Sequence, residues 1–269
     1  MLHLSTKRLK IYLSPAKLIL VLQQGLIVRR ALTKQVIEID NKQLTTDEVL
    51  TQLKAVLLKS NYQNMGTDVL LSADYVRFLV NQADYRLTYE EQYVLVRHSF
   101  EAVYGENVND WSIFLSNTGF NKNEFACAVE SIFIKEISSL IQKQNLKLLS
   151  IAPVFTSAIN YFRKRISLNA WFVLIEQDNM QLVKFLNGSP VLLRSVNLYS
   201  GWENEIEAIF ARESLYLQDN RLPVYWFWPE KPDFINELLK KSKVNILRMK
   251  TIEGFSHSRD SAWAIGLCA

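Results

Sequence analysis

Hydrophobic and polar positions follow the same order in two separate stretches of this chain. Each stretch begins with three β-rich runs, which are residues 8–14, 17–23 and 36–40 in the first and residues 170–176, 180–186 and 191–198 in the second. Short segments of turn-forming or polar residues, among them 33–35, separate the runs, so each trio predicts an antiparallel meander. An amphipathic helix is predicted after each meander. The repeated order predicts a fold built from two copies of one unit.

Three capping boxes mark predicted helix starts. They begin at Thr45, Thr88 and Ser200, and each has a glutamate three positions later. The first box predicts a helix whose apolar face is formed by Val49, Leu50, Leu53, Val56 and Leu57. The second predicts a helix that ends at about Tyr104, before Gly105, with an inward face of Tyr89, Tyr93, Val96, Phe100 and Val103.

The remaining patterns continue each meander with alternating helices and strands. In the first stretch they are a strand at 68–72, a short helix or turn at 74–78, a hairpin of 111–116 and 125–129, a helix at 132–144, a strand at 146–151 and a helix from Pro153 to Ile166. In the second they are a strand at 222–228, a helix at 232–241 and a strand at 244–249. This order predicts an α/β, actin-like fold, in which two ribonuclease-H-like lobes enclose a central cleft. We place the first lobe, with an inserted subdomain, at residues 1–166 and the second at 167–269.

Composition indicates an ordinary globular protein. The 269 residues are 49% hydrophobic and 22% charged, and the 31 Lys and Arg alternate with 27 Asp and Glu along the chain. No basic stripe of the kind that binds nucleic acid is visible. The run 163–165 is basic, and we favour a solvated helix end over a lipid contact for it. No stretch is apolar enough for a signal peptide or a membrane span, which predicts a cytoplasmic protein.

The two cysteines and three histidines suggest no catalytic or metal site. Cys127 lies in an apolar run, which predicts a buried thiol, and Cys268 is expected to be incidental. There is no CxxC motif, and this low number of cysteines fits a protein of a reducing compartment. His3, His98 and His257 are scattered in polar or terminal context, and His98 is predicted to lie on the surface of its helix.

The turns of the two meanders are where members of the actin-like superfold bind the phosphates of a nucleotide. Such members place an Asp followed closely by Gly there, because the carboxylate orients hydrated magnesium and the glycine lets backbone N–H groups approach the phosphates. The first turn, residues 13–17, has neither residue, and Pro15 lacks a backbone donor. The second turn, residues 176–179, has carboxylates and no glycine. The sequence therefore predicts altered or missing ATP chemistry.

Three carboxylates remain candidates for a magnesium-nucleotide site. Glu176 and Asp178 lie in the second turn, but Asp is also a favoured hairpin residue, and we favour that interpretation. Asp74 follows a predicted strand, where the superfold keeps a catalytic carboxylate. Alternatively, Asp74 caps the helix that follows, and we favour this capping role over the catalytic one. If a nucleotide binds, Asp74, Glu176 and Asp178 are the residues expected to hold it.

The most aromatic run, residues 224–229, also has two interpretations. It could stack bases or anchor a partner. A central strand covered by helices on both sides also needs apolar residues facing both ways, and we favour this structural interpretation.

Four segments stand out as family-like motifs: DVLLSADYVR at 68–77, VRHSFEAVYG at 96–105, WSIFLS at 111–116 and SAWAIGLCA at 261–269. They resemble proteins of the PilM and GspL group, the cytoplasmic actin-like platform components of type IV pilus and type II secretion machines. The resemblance covers nearly the whole chain. It implies an actin-like fold at the cytoplasmic face of a bacterial inner membrane. Pilus members grip the short cytoplasmic tail of a bitopic membrane protein, while secretion members carry their own span and contact the assembly ATPase.

Two functional hypotheses follow. The first is a non-catalytic scaffold that binds the cytoplasmic tail of a bitopic inner-membrane pilus or secretion protein, with the assembly ATPase as a further candidate partner. The second is an active ATPase or sugar kinase that uses Asp74, Glu176 and Asp178 around magnesium and ATP. Pilus members typically bind ATP, and the glycine-poor turns of this chain depart from them. We favour the scaffold, without a cofactor, for that reason.

Overall fold

The structure, a computed structural model, describes most of the chain up to residue 198 and a few segments beyond it. The described residues are 7–25, 30–38, 45–60, 62–82, 84, 86–116, 123–176, 178–198, 208, 212, 222–228 and 244–246. The predicted helices after Ser200 and at 232–241, and the closing segment 261–269, lie outside the residues whose fold is described.

Thirteen strands and four α-helices are assigned within these residues. The strands are β1 (Lys7–Leu13), β2 (Lys17–Gln24), β3 (Arg30–Glu38), β4 (Gly66–Leu71), β5 (Arg77–Asn81), β6 (Trp111–Leu115), β7 (Glu124–Glu130), β8 (Lys147–Pro153), β9 (Ala170–Glu176), β10 (Asn179–Leu186), β11 (Ser189–Asn197), β12 (Val224–Phe227) and β13 (Val244–Ile246). The helices are α1 (Thr46–Lys59), α2 (Tyr89–Tyr104), α3 (Ser131–Lys143) and α4 (Val154–Phe162), with short 3₁₀ segments at Ala73–Tyr75 and Gly105–Asp110.

Two five-stranded sheets share one topology. The first sheet has the order β3-β2-β1-β4-β8 and the second has the order β11-β10-β9-β12-β13. In each, the first three strands form an antiparallel meander, and the later two join it in parallel. The duplication predicted from the repeated hydrophobic pattern is therefore present in the strand order.

A third sheet, of order β5-β7-β6, lies between β4 and β8 in the chain. Its β6 and β7 pair antiparallel, as predicted, and α2 packs on one face of it through Val96 and Phe100. Arg77 and Phe78, predicted to lie in a short helix or turn, belong instead to strand β5. Only Ala73–Tyr75 forms the 3₁₀ turn, because backbone pairing with β7 takes over from Arg77 onward.

The capping boxes predict the helix starts correctly where the chain is described. The Thr45 side chain accepts from the backbone of Glu48, and Thr88 does the same for Glu91, with the reciprocal bonds also made. Gly105 follows α2 with φ of 69°, a left-handed angle that favours glycine. Tyr89 and Val103 are exposed, so their predicted place on the inward face of α2 is wrong. The third sheet is narrow and covers only the stripe of α2 that carries Val96 and Phe100.

Strand β3 begins at Arg30, and the polar residues 33–35, predicted to precede the strand, lie within it. β3 pairs only with β2 and is the edge of the first sheet. Its Leu32 to Gln35 segment is exposed, so the usual apolar signal of a strand is absent there. For this reason, the hydrophobic pattern predicts a strand shorter than the one observed.

The main core surrounds α4. Phe155 packs its ring against Phe78 of β5, Phe125 of β7 and Phe172 of β9, with ring centroids 5.4, 6.2 and 6.0 Å apart. α4 itself ends at Phe162, four residues before the predicted end, and the basic run 163–165 forms the turn that follows. Phe155 therefore connects the third sheet to the second.

The aromatic run at 224–228 is structural, as predicted. β12 is an internal strand between β9 and β13. Trp226 packs with Trp171 in one buried cluster, whereas Phe227 packs into the main core on the opposite face. The side chains thus fill the protein on both sides of the second sheet.

Cys127 is half-buried against the main core, and His98 lies on the surface as predicted. Burial raises the pKa of the Cys127 thiol to about 11, so the neutral thiol predominates at physiological pH. His98 lies on the exposed side of α2, and its Nδ1 is 2.9 Å from Glu101 Oε2.

Candidate functional site

Three chain segments meet where the turn of each meander approaches the end of β4. In the first sheet, the parallel pairing of β1 and β4 aligns Leu13 with Leu71, so both strands end together. The Ser72 N–H extends this pairing by donating to Leu13 O at 3.0 Å. The third segment is the β9–β10 turn of the second sheet. This is the position at which the actin-like superfold is expected to hold a nucleotide.

The first turn, residues 14–17, is closed on itself. The backbone N–H of Lys17 donates to Ser14 Oγ at 2.9 Å, and the Ser14 N–H donates to Lys17 O at 2.9 Å. The Ser14 side chain is fully buried. Pro15 contributes no N–H. The turn therefore offers few free backbone donors to a phosphate.

Glu176 is buried at the end of β9, with 2% of its surface exposed. Its Oε1 accepts a 2.6 Å hydrogen bond from the Tyr12 hydroxyl, and its Oε2 accepts a 3.2 Å bond from the Ala73 N–H. A buried carboxylate needs such donors, because burial without them strongly disfavours the charge. Glu176 thereby joins the second sheet to two segments of the first.

Asp74 is bonded on both carboxylate oxygens. Oδ2 accepts from Ser72 Oγ at 2.9 Å, and Oδ1 accepts from Asn179 Nδ2 at 2.9 Å. The predicted capping role of Asp74 is wrong, because Ser72 occupies the N-cap position of the 3₁₀ segment and Asp74 lies within its first turn. Its carboxylate instead reaches across to the β9–β10 hairpin.

We call this set of hydrogen bonds the latch: Tyr12, Ala73 and Asp74 on the side of the first sheet, bonded to Glu176 and Asn179 on the side of the second. Asp178, the third candidate carboxylate, is exposed in the turn, where its backbone O accepts from the Leu198 N–H at 2.7 Å. This agrees with the turn interpretation of Asp178. The structure thus brings Asp74 and Glu176 together and leaves Asp178 on the surface.

Among the described residues, Asp74 and Glu176 already accept hydrogen bonds from protein donors on both carboxylate oxygens, so a magnesium-nucleotide would have to compete with these bonds. Within the described part of the chain, no three His, Cys, Asp or Glu side chains are grouped as metal ligands. The carboxylates are structural groups in this arrangement.

A groove of about 220 Å³ opens beside Asp74. Its walls are the β1–β2 turn, the start of α1 and the third sheet, and its charged lining consists of Asp74, Glu130 and Arg77. Tyr75 also lines it. Burial, and then the nearby Asp74 carboxylate, raise the pKa of the Tyr75 hydroxyl. With two carboxylates to one guanidinium, this lining does not suit a polyphosphate.

Sequence reasoning missed Tyr12, Ser72 and Asn179 as parts of the site. Tyr12 stands in an apolar strand and reads as a core residue. Asn179 reads as an ordinary turn residue. Only a prediction that the two hairpins face one another would have drawn attention to their polar atoms.

Within the described residues, no helix combines the length and apolar character needed to cross a membrane.

No protein-family model and no curated protein sequence matches the chain. Its structure, however, is similar to solved structures over most of its length. A chain of the PilM–PilN type IV pilus biogenesis complex superposes with a TM-score of 0.65 at 11% identity, covering 89% of this chain and 87% of that one. A Bacteroides thetaiotaomicron protein of unknown function with an actin-like ATPase fold gives 0.62 at 15% identity, covering 90% and 91%.

The cytoplasmic domain of EpsL, an inner membrane component of the Vibrio cholerae type II secretion system, gives a TM-score of 0.57 at 11% identity, covering 97% of this chain and 93% of that domain. These likenesses confirm the actin-like fold predicted from the sequence. The resemblance to the PilM and GspL group is confirmed at the level of the fold.

Proposed function

We propose that this protein is a non-catalytic, actin-like scaffold of a type IV pilus or type II secretion platform. In this role it binds the cytoplasmic tail of a membrane-anchored partner at the inner face of the membrane. The observation that carries the non-catalytic part is the latch. Hydrogen bonds between protein groups take up the atoms with which an actin-like ATPase would bind its magnesium-nucleotide.

The partner class is supported by two of the similar structures. One is a complex of PilM with PilN, and the other belongs to an inner membrane component of a secretion system. Fold similarity alone does not assign a function. The sequence resemblance at 68–77, 96–105 and 111–116 points to the same group independently of the fold comparison.

The latch leads to a specific expectation for the melting temperature in the presence of nucleotide. We expect millimolar magnesium-ATP to leave the melting temperature unchanged within error, because the latch bonds Asp74 and Glu176 and the described β1–β2 turn offers few free backbone donors. A ligand at 100 times its dissociation constant would add about 2.7 kcal/mol, or roughly 5 to 10 °C for a chain of this size. Differential scanning fluorimetry with and without magnesium-ATP measures this. A shift of that order would show that a nucleotide binds despite the latch and would direct attention to Asp74, Glu176 and Asp178.

The scaffold role also has a direct test. Tagged protein incubated with detergent-solubilised membranes of the source cell is expected to enrich a bitopic membrane protein with a short cytoplasmic tail, identified by mass spectrometry against the tag alone. A synthetic peptide of that tail should then bind the purified protein in solution. Failure to enrich any membrane protein above the tag control would contradict the proposed membrane-anchored partner. The nucleotide experiment would be unaffected by that outcome.

A further inference from the structure

A second groove, on a different side of the molecule from the latch, lies where three elements meet. It has a volume of about 200 Å³ and is formed by residues at the end of β6 and the start of β7, by α4 with the residues after it, and by the β10–β11 turn. We call it the lateral groove, and its lining includes Phe125, Ile159, Arg163, Leu168, Phe185 and Asn187.

The floor of the lateral groove is apolar and fixed. Phe125 of β7 and Phe185 of β10 meet edge to face, with centroids 6.3 Å apart, and Phe125 also packs against Phe155 in the main core. Ile159 and Phe185 are each 7% exposed. Rings held from behind by the core keep their shape on binding, which lowers the entropic cost of receiving a ligand.

One rim of the groove exposes apolar side chains. Leu168 is 68% exposed, and Leu186, at the end of β10 before the turn, is also exposed. The backbone holds this rim in place: the Gly188 N–H donates to Leu168 O at 2.8 Å, and the Asn187 N–H donates to Asn169 Oδ1 at 2.7 Å. Large apolar side chains held in solvent next to an apolar groove are typical of an interaction surface.

The charge of the groove has one sign. Arg163 lines it, and exposed Lys164 follows directly, whereas no Asp or Glu belongs to the described lining. Arg165 is engaged differently, with its guanidinium over the Phe162 ring at 5.3 Å. An occupant that carries carboxylates beside Arg163 would complement this charge and gain specificity from it.

The polar lining distinguishes between two kinds of acidic occupant. Asn123, Asn160 and Asn187 line the groove, and an asparagine amide can both donate and accept hydrogen bonds. An extended peptide has unpaired backbone N–H and C=O groups that need such partners. An acyl chain has none, and a bilayer surface does not enter a concave groove. The lining therefore favours a peptide over a membrane.

We infer that the lateral groove binds a short peptide segment of a partner protein, with adjacent apolar residues that fill the floor and an acidic flank that meets Arg163. This assignment stands on the lining residues alone. It does not depend on whether the protein binds nucleotide or on whether the partner is membrane-anchored, so it can fail or succeed independently of the proposed function.

Selection from a random dodecapeptide phage library on the immobilised protein tests the inference. We expect enriched peptides to share adjacent apolar residues flanked by Asp or Glu. Their synthetic forms should bind roughly tenfold more weakly to Arg163→Glu and to Leu168→Asp, measured by fluorescence polarisation. Both substituted side chains are exposed, so circular dichroism should show an unchanged fold.

Two matched variants control for charge and hydrophobicity elsewhere on the surface. Lys54→Glu and Leu58→Asp alter exposed residues of α1 and should retain binding within about twofold of the unmodified protein. Enriched peptides that bind the groove variants and the unmodified protein equally would overturn the inference. So would a selection without acidic-apolar peptides. If in that case phosphatidylglycerol vesicles sediment the protein and Arg163→Glu abolishes this, the basic turn meets lipid instead.

Discussion

Replacing Phe155 with alanine is expected to lower the free energy of unfolding by about 3–5 kcal/mol. The side chain is 1% exposed and contacts the rings of Phe78, Phe125 and Phe172. Its removal leaves a cavity between the third and second sheets and eliminates three aromatic contacts. Urea denaturation followed by tryptophan fluorescence gives the change, since Trp171 and Trp226 are buried in the adjoining second sheet.

Phe114→Ala is the matched control. It removes the same side chain from β6, in the third sheet, where Phe114 is 48% exposed, and should cost less than about 1 kcal/mol. Phe155→Leu keeps most of the volume and is expected to fall between the two. A loss below about 1.5 kcal/mol for Phe155→Ala would show that α4 is not the connection between the sheets that the ring contacts indicate.

Much of this fold follows from signals that lie close together in the sequence. The capping boxes at Thr45 and Thr88 each use residues three positions apart, and both helices begin where these boxes predict. The hairpin turn at Asn187 and Gly188 has φ of 52° and 76°, as its residue types favour. Such local rules also predict the repeated meander, because alternation and turn residues are read within each copy.

The features that sequence reasoning missed depend on contacts between residues far apart in the chain or on the exposure of an edge strand. Residues 32–35 of β3 are exposed at the edge of the first sheet, so this part of the strand carries no apolar pattern. Tyr12 and Glu176 are 164 positions apart, and Asp74 and Asn179 are 105 apart. No spacing rule relates residues at such separations. The sequence therefore identifies the candidate carboxylates by residue type, whereas their hydrogen-bond partners are visible only in the structure.

Replacing Glu176 with alanine is expected to destabilise the protein by about 2–4 kcal/mol. The Tyr12 hydroxyl and the Ala73 N–H both lose this acceptor, and the loss of one such buried hydrogen bond costs about 1–3 kcal/mol. The expected fall in melting temperature is about 5–15 °C. Glu176→Gln retains an acceptor oxygen and a group of the same size, so its loss should be about half as large or less.

A double-mutant cycle of Tyr12→Phe and Glu176→Ala separates the latch from simple loss of volume. If Tyr12 bonds Glu176, the two changes share one interaction, and the double variant should be more stable than the sum of the single losses by at least about 1 kcal/mol. Additive losses within about 0.5 kcal/mol would mean that the two groups do not interact in solution.

Addition of magnesium-ATP to each variant extends the test. Because the latch occupies the groups that a nucleotide would need, a gain of thermal stability confined to Tyr12→Phe, which removes a latch donor and keeps the Glu176 carboxylate, would identify the latch as what keeps nucleotide out. An unchanged melting temperature in every variant would mean that the altered turns alone exclude it.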